Sequence, residues 1–303
     1  MKDSSKSLIY IAITVASWST VASAFKIALR HYSYYELLLV SAITAVLVFA
    51  LILSFKRRWH QIKKVSRQEW FLFALTGLLN PAGYYLILFK AYDLLPAQIA
   101  QSINYSWAIV LTLLLALFMR QRIPALKYLG MAISLAGVAL ISLGTGSFSE
   151  VAVKLSHTGL ALAFMSSFVW ATFWLLNKRN DQVDNILALL LSFVFGSLYL
   201  LIGLFFVDVQ LTSLKGLLSS VYVGLFEMAI PFIFFGLALK KTDNPALINQ
   251  LCYISPFISL FIIQSVLGEP IYLTTFVGLV LIIGGILFNE YGIRNKKAPI
   301  NNI

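Results

Sequence analysis

Residues 34–55 read YYELLLVSAITAVLVFALILSF, a run of 22 residues in which Glu36 is the only charged side chain. A helix needs about 20 predominantly apolar residues to cross the roughly 30 Å hydrocarbon core of a bilayer. The run therefore predicts a membrane-spanning helix, and nine further stretches of this kind fill most of the chain. In chain order, the ten predicted spans are residues 8–29, 34–55, 70–90, 96–118, 126–144, 158–178, 185–206, 216–240, 246–267 and 273–291.

The composition agrees with a bundle of membrane helices. Of the 303 residues, 60% are hydrophobic and 12% are charged, whereas soluble globular proteins carry about 25% charged residues. The net charge of +11 would suggest nucleic acid as the partner of a soluble protein. Here the basic residues lie between the spans, so we expect the lipid bilayer as partner and no nucleic acid. The single cysteine, Cys252, excludes an intrachain disulfide.

The basic residues also predict the orientation, because cytoplasmic loops are enriched in Lys and Arg. If the N-terminus is cytoplasmic, eighteen of the 23 basic residues fall in the two termini and in the loops that follow even-numbered spans. Lys26 lies within the first span, and only four fall on the other side: Arg30, Lys90, Lys154 and Lys215. The pattern predicts a multi-pass protein of the cell (inner) membrane with both termini in the cytoplasm and an even number of spans.

The chain contains a weak internal repeat. Residues 18–26 read WSTVASAFK and residues 170–178 read WATFWLLNK, so spans one and six share the pattern W-x-T-x₅-K. Residues 96–106 and 245–255 both begin Pro-Ala and carry Gln and Ser at the same spacing. The first span, with its preceding lysines, also resembles a cleavable signal peptide, but its place in the repeat favours a retained helix.

Two further matches occur in the same order. Residues 77–80 correspond to residues 224–227, and Gly130 and Gly137 of span five correspond to Gly278 and Gly285 of span ten. Five spans is an odd number, so a second copy must enter the membrane from the opposite side. We therefore predict two repeats, residues 1–147 and 148–303. Inverted repeats are typical of secondary transporters, whose site lies near the bilayer midplane between the halves.

These residues resemble the drug/metabolite transporter superfamily in its ten-helix EamA-type form. The resemblance covers nearly the whole chain and is carried by residues 11–26, 97–117, 161–178 and 247–267. Within the superfamily the chain is most similar to the aromatic amino-acid exporter branch, through Asn104-Tyr105-x-Trp107 and Tyr253-x-x-Pro256. The resemblance implies a cavity lined by spans one, three, four, six, eight and nine, with spans five and ten at the periphery.

The sequence departs from the superfamily in one place. A Gly-Glu pair commonly follows spans four and nine there. Gly268-Glu269 fits this pattern, but Gln121 stands at the corresponding position of the first half. A paired role for the two acids is therefore not expected.

Polar and aromatic residues at membrane depth are the candidates for binding a substrate. Trp18 and Trp170 lie mid-span, away from the interface where Trp concentrates, and each indole N–H needs a partner. Lining a polar cavity would supply one, and tight helix packing is the alternative. The predicted substrate-binding residues are Trp18, Asn80, Tyr84, Gln101, Asn104, Tyr105, Trp107, Trp170, Asn249 and Tyr253.

Glu227 and Lys26 are the candidates for coupling or for a charge contact. Glu227 is the one acid deep within a span, and an ionised carboxylate at the bilayer centre costs about 2.5–3.5 kcal/mol. It is predicted to couple transport to protons or to bind a substrate amine; a neutral hydrogen-bonding Glu is the alternative. Its repeat counterpart is Asn80. Lys26 is predicted either to extend to the interface or to bind a substrate carboxylate or Glu227.

Prolines and glycines predict the shape of the bundle. Pro81, Pro231 and Pro256 fall inside spans and should kink them. The glycines of spans five and ten, including Gly284, should allow close helix packing within the molecule. A homodimer through these two spans is the alternative.

The sequence contains no P-loop, no HExxH and no CxxC motif, and its three histidines fall in loops. We therefore expect no metal, no cofactor and no enzymatic activity. We predict a secondary transporter that exports small metabolites, amino acids foremost, by alternating access. The alternatives are an uncoupled channel or facilitator, a membrane-embedded enzyme, and the same carrier with a nucleotide, sugar or drug as cargo.

Overall fold

A computed structural model describes residues 3–119, 125–142, 155–177, 183–243 and 245–294. Within these ranges the chain is all-helical and contains no strand. A 3₁₀ helix at Trp59–Lys64 and π-helical segments at Leu78–Gly83 and Gly224–Ala229 accompany the α-helices. The α-helices are α1 (Asp3–Leu29), α2 (Tyr34–Phe55), α3 (Arg67–Gly77), α4 (Tyr84–Leu94), α5 (Ala97–Asn104), α6 (Trp107–Met119), α7 (Ala125–Ser142), α8 (His157–Asn177), α9 (Asn185–Gly203), α10 (Leu214–Val223), α11 (Ile230–Lys241), α12 (Pro245–Leu251), α13 (Ile254–Leu267) and α14 (Leu273–Arg294).

Seven helical segments of the described ranges are long and apolar enough to cross a membrane. Two shorter apolar helices, Tyr128–Ile141 and Leu273–Phe288, fall within α7 and α14, and the predicted fourth span is divided between α5 and α6. An all-helical membrane protein is therefore confirmed, while the count of ten spans remains a prediction. The seven segments are Ser5–Leu29, Tyr34–Phe55, Arg67–Leu94, His157–Leu176, Asn185–Gly203, Leu214–Lys241 and Leu247–Leu267.

Helix ends follow from local capping chemistry. Ser33 and Glu36 form a capping box at the start of α2, in which the Ser33 backbone N–H donates to Glu36 at 2.7 Å. Ser66 and Glu69 do the same for α3. Such boxes satisfy backbone N–H groups that have no partner within the helix. Gly268 ends α13 with a φ of 71°, a left-handed conformation that glycine adopts readily.

All three predicted proline sites lie at irregular backbone. Pro81 lies in the first π-helical segment, where Asn80 leaves the helical region with φ −146° and ψ 115°. Pro231 follows the second π-helical segment at the start of α11, and Pro256 lies in the first turn of α13. Proline is tolerated in a first turn because its missing N–H would be unpaired there anyway. The break after Asn104, between α5 and α6, has no proline.

The helices pair across the two halves of the chain in a reciprocal pattern. Helix α1 packs on α10, α11 and α13, whereas α8 packs on α4, α5 and α6. Helix α2 packs on α9 and on the second π-helical segment, and α9 packs on α3 and on the first. Each of these helix contacts in one half of the chain therefore has a counterpart in the other half.

Helices α7 and α14 form a close antiparallel pair at the edge of the bundle. A Cβ added to Gly137 would lie 2.5 Å from the Gly278 backbone oxygen, and one added to Gly285 would lie 2.3 Å from that of Gly130. Ser134 Oγ donates to the Ile282 backbone oxygen at 2.8 Å. Gly130, Gly137, Gly278 and Gly285 thus serve packing within the molecule, as predicted. The same prediction was wrong for Gly284, because a Cβ there meets nothing within 4 Å. A homodimer through the two spans stays a prediction.

The loops gather at two ends of the bundle. At one end Arg58 forms an ion pair with Asp184 at 2.6 Å, and Ser7 donates to the Ala238 backbone oxygen at 2.9 Å. At the other end Tyr32 donates to the Ser213 backbone oxygen at 2.9 Å. The first end carries the basic residues between α2 and α3 and those at the end of α11, and we call it the basic-loop end.

The substitution Gly285→Ala should destabilise the fold. The new methyl group would meet backbone at 2.3 Å and the Ser134 side chain at 2.2 Å, so α7 and α14 must separate. Overpacking of this kind costs about 1–3 kcal/mol, and we expect a lower apparent melting temperature in detergent. Gly284→Ala is the matched control, because a Cβ there meets nothing within 4 Å. Equal melting temperatures for the two variants would contradict the close packing.

Candidate functional site

A cavity lies at the centre of the bundle, between the two halves of the chain. The volume of this cavity is about 100 Å³. One water molecule requires roughly 10–15 Å³, so the cavity has room for several. Its walls come from α1, α4, α5, α6, α8, α11 and α12 and from the backbone breaks beside them. These are the six spans that the resemblance implied, and α7 and α14 do not contribute. The lining residues are Trp18, Val21, Phe25, Tyr84, Leu88, Tyr92, Gln101, Asn104, Tyr105, Trp107, Trp170, Trp174, Glu227, Phe235, Asn249, Cys252 and Tyr253.

Aromatic rings form most of the wall, and they contact one another across helices. The Trp170 ring lies 4.5 Å from that of Tyr84 and 5.9 Å from that of Trp174, centroid to centroid. Phe235 lies 6.0 Å from Trp18 and 6.1 Å from Trp174. Tilted and edge-on pairs at such distances are favourable, so the wall is a connected set of rings contributed by both halves.

Glu227 places one carboxyl group in this aromatic wall. Tyr85, which is fully buried, donates to Glu227 Oε1 at 3.0 Å. The indole N–H of Trp18 donates to the Glu227 backbone oxygen at 3.3 Å. That oxygen lies in a π-helical segment, where the regular helix hydrogen bonds are interrupted. Glu227 thus lies on a backbone irregularity with a donor from each of two neighbouring helices.

Two of the three amide side chains that line the cavity, Asn104 and Gln101, lie on α5. Tyr84 donates to Asn104 Oδ1 at 3.1 Å, and Asn104 Nδ2 donates to Ser166 Oγ at 2.8 Å. Asn104 is therefore held in place by hydrogen bonds at both ends of its amide. Gln101 Oε1 is buried and has no hydrogen-bond partner among the described residues.

Lys26 does not line the cavity. Its ammonium group donates to the backbone oxygens of Tyr92 at 2.8 Å and Leu95 at 3.0 Å, at the end of α4. The last carbonyl groups of a helix have no partner within it, and a cation is favourable there. Lys26 therefore joins α1 to the end of α4 beyond the aromatic wall.

Beside Lys26, polar contacts join the first half of the chain to the second. Glu269 accepts from the Ala97 backbone N–H at 3.0 Å, at the start of α5. The Gln98 side chain donates to the Pro270 backbone oxygen at 2.6 Å and accepts from the Tyr272 N–H at 3.3 Å. We call these contacts the latch, and the end of the cavity that they close the sealed end.

The opposite end of the cavity is accessible. Asn249 on α12 lines the cavity and is exposed, and Cys252 after it is partly exposed. By contrast Phe25, Leu88 and Tyr92, toward the sealed end, are 2%, 3% and 3% exposed. Helix α12 begins shortly after α11 ends at Lys241, so the cavity opens at the basic-loop end.

Most of the predicted site residues meet in this one cavity. Trp18, Glu227 and eight other predicted residues line it, and only Lys26 and Asn80 do not. Asn80 is fully buried in the first π-helical segment, and its side-chain amide has no partner among the described residues. The eight other lining residues are Tyr84, Gln101, Asn104, Tyr105, Trp107, Trp170, Asn249 and Tyr253.

The sequence alone did not single out several lining residues. Trp174 lies one helical turn after Trp170, and that spacing could have identified it. Phe25, Tyr92 and Phe235 carry no signal that separates them from ordinary apolar span residues. Among the described residues, no group of His, Cys, Asp and Glu side chains could hold a metal ion.

A family model of the EamA-like transporter family matches this chain at residues 5–143 and again at residues 157–291. The uncharacterized transporter YvbV of Bacillus subtilis is 25% identical over 249 residues, which cover 80% of this chain and 79% of that protein. An uncharacterized transporter of Archaeoglobus fulgidus is 27% identical over 288 residues, covering 93% of this chain and 97% of that protein.

A crystal structure of another protein has the same fold. It matches with a TM-score of 0.69 over 97% of this chain and 99% of that chain, at 18% sequence identity. At this identity the similarity concerns the fold alone.

Thiol labelling should detect the opening of the cavity at the basic-loop end. In a Cys252→Ser chain, which removes the one native cysteine, Asn249→Cys should react with a membrane-impermeant maleimide added at the basic-loop end. Leu88→Cys should react about tenfold more slowly or less from either end, because reaction of a buried group requires an opening motion. Labelling of Leu88→Cys from the opposite end at the rate of Asn249→Cys would contradict the sealed end.

Proposed function

Because the chain belongs to the EamA-like transporter family, we propose that it is a secondary carrier that exports small metabolites, amino acids foremost, by alternating access. The observation that carries this function is the central cavity between the halves, open at the basic-loop end and closed by the latch at the other. Carriers of this kind expose one fixed site to each side in turn. A cavity sealed at one end is one of the two states that such a mechanism requires.

The proposed architecture is ten transmembrane helices in two inverted repeats, residues 1–147 and 148–303. The reciprocal packing of the two halves supports it, as does the antiparallel pairing of α7 with α14. The family model matches the two halves separately. The breaks at Leu78–Gly83 and Gly224–Ala229 also occupy corresponding places in the two halves.

The wall supplies contacts for two parts of the proposed amino-acid cargo. An amino acid would place its amino group at Glu227 and an apolar side chain among the rings, as the similarity to aromatic amino-acid exporters suggests. The relatives named as transporters support a role in transport rather than catalysis. The excess of Lys and Arg at the open end supports cytoplasmic termini in the cell membrane, so the cavity would face the cytoplasm.

The latch is built from side chains that the other half lacks. Ala97 and Gln98 follow Pro96 as Ala246 and Leu247 follow Pro245, so Leu247 replaces the clamping Gln98 in the second half. Gln121 stands where the repeat would require the counterpart of Glu269. Hydrogen bonds contribute about 0.5–1.5 kcal/mol each, and more to a charged group. This difference between the halves favours the state that is open at the basic-loop end.

Counterflow should demonstrate carrier behaviour. Proteoliposomes loaded with unlabelled tryptophan should take up radiolabelled tryptophan with a transient overshoot, because a carrier exchanges one bound molecule for another. Glu227→Gln should slow this exchange about tenfold or more, since contacts to a charged group contribute about 1.5–3 kcal/mol, and should remove its dependence on pH.

Asp208→Asn is the matched control, since Asp208 is exposed and lies outside the cavity. Uptake that approaches equilibrium without an overshoot would indicate a channel. An unchanged rate and pH profile for Glu227→Gln would exclude a coupling role for that residue.

Weakening the latch should shift the carrier toward its other state. The double variant Gln98→Leu/Glu269→Gln introduces at both positions the residue type found at the corresponding position of the other half. It removes contacts that join the two halves. In a Cys252→Ser background we expect Leu88→Cys to become reactive from the end opposite the basic loops, and Asn249→Cys to react more slowly. Asp208→Asn should change neither rate. If the latch variant labels as its parent does, the latch does not set the resting state.

A further inference from the structure

The cavity wall carries charge of one sign only. Among its described lining residues, Glu227 is the single charged side chain, and no Lys, Arg or His lines the cavity. Lys26, which the sequence suggested as a candidate partner of Glu227, donates to two backbone oxygens at the sealed end. An amino acid brings a carboxylate as well as an ammonium group, and this wall offers no cation for it.

The unpaired polar atoms of the wall are also better suited to a cation than to an anion. Gln101 Oε1 is a buried acceptor without a partner, so a ligand N–H would satisfy it. Asn104 has both ends of its amide occupied by Tyr84 and Ser166. Among the buried, unpaired atoms of the described wall, the indole N–H of Trp174 is the one donor, but a carboxylate accepts several hydrogen bonds.

The rings that surround Glu227 add attraction for positive charge. Ammonium groups bind to the faces of Trp and Tyr rings, and the attraction grows when the site is shielded from water. Trp18, Tyr84 and Trp170 belong to this wall together with Glu227. Burial of an unpaired carboxylate in the same surroundings would be unfavourable.

We propose that this cavity selects monovalent organic amines with a flat apolar body, bound as ammonium ions at Glu227, over the amino acids from which such amines derive by loss of the carboxyl group. The amino group is the element that both kinds of cargo share, and the carboxylate of the amino acid is the element that the wall does not accommodate. Transport of the amine rests on the carrier function proposed above, whereas its binding rests on the cavity alone.

A series of indole ligands tests this selectivity on the full-length protein. Tryptamine and tryptophan methyl ester are cations, tryptophan is a zwitterion and indole-3-propionate is an anion, while all four share the same ring. We expect both cations to bind at least about tenfold more tightly than tryptophan in calorimetric titrations, which is the effect of one mispaired charged group. Indole-3-propionate should bind most weakly of the four.

Variants test whether the carboxyl group of Glu227 causes the preference for tryptamine over tryptophan. Glu227→Gln should remove the preference of tryptamine over tryptophan while retaining affinity for the uncharged ring of indole, which also verifies that the variant is folded. Asp208→Asn should keep the wild-type order of affinities. Should the preference persist in Glu227→Gln, the assignment of the ammonium site to Glu227 would be overturned.

Binding and counterflow together separate the two proposals. Tighter binding of the cations with counterflow of tryptamine supports both. Tighter binding of the cations without counterflow supports the amine site and overturns the carrier function. If tryptophan binds as tightly as tryptamine or more tightly, the amine selectivity is overturned, and counterflow of tryptophan would then leave the carrier function intact.

Discussion

The absence of water in the hydrocarbon core is the constraint on which this structure depends. Every backbone N–H and C=O group there must find a partner within the protein, so regular helices are the default and irregular backbone is tolerated only where it is buried or lines a cavity. The two π-helical segments and the breaks at Tyr105 and Cys252 comply with this constraint. Glu227, Tyr105, Cys252 and Tyr253 all lie on irregular backbone and all line the cavity. The cavity and the broken helices therefore occur at the same place, as this constraint requires.

The two halves share this backbone plan but differ in the chemistry that it carries. The first π-helical segment holds Asn80, which is buried away from the cavity, and the second holds Glu227, which lines it. The first half provides Gln98 to the latch, and the second provides Leu247 at the corresponding position. These differences between the halves make the two ends of the cavity unequal.

The sequence predicted what depends on local pattern and on repetition. Apolar runs located the helices, the prolines at 81, 231 and 256 located three irregular sites, and the pairing of polar with aromatic residues located most of the cavity wall. The break after Asn104 had no such signal, because it arises where Asn104 and Ser106 bond to Ser166 and Ser167 of α8. Contacts of this kind join residues about 60 positions apart. The latch was not predicted for the same reason. Gln98 carries no local signal, and its role depends on contacts to Pro270 and Tyr272, which are distant in sequence.

Lys26 illustrates how the sealed end determines the charge of the cavity. Its position near the end of the first span left open an extension to the interface and a contact to substrate or Glu227. In the structure α4 ends beside it and presents the carbonyl groups of Tyr92 and Leu95. Those oxygens have no partner within the helix, and the negative end of the helix dipole attracts the ammonium group. A lysine bound in this way stabilises the sealed end and is withdrawn from the cavity. Among the described lining residues Glu227 is then the one charge in an aromatic wall, so the contact that holds Lys26 at the sealed end also leaves the carboxyl group without a positive partner in the cavity.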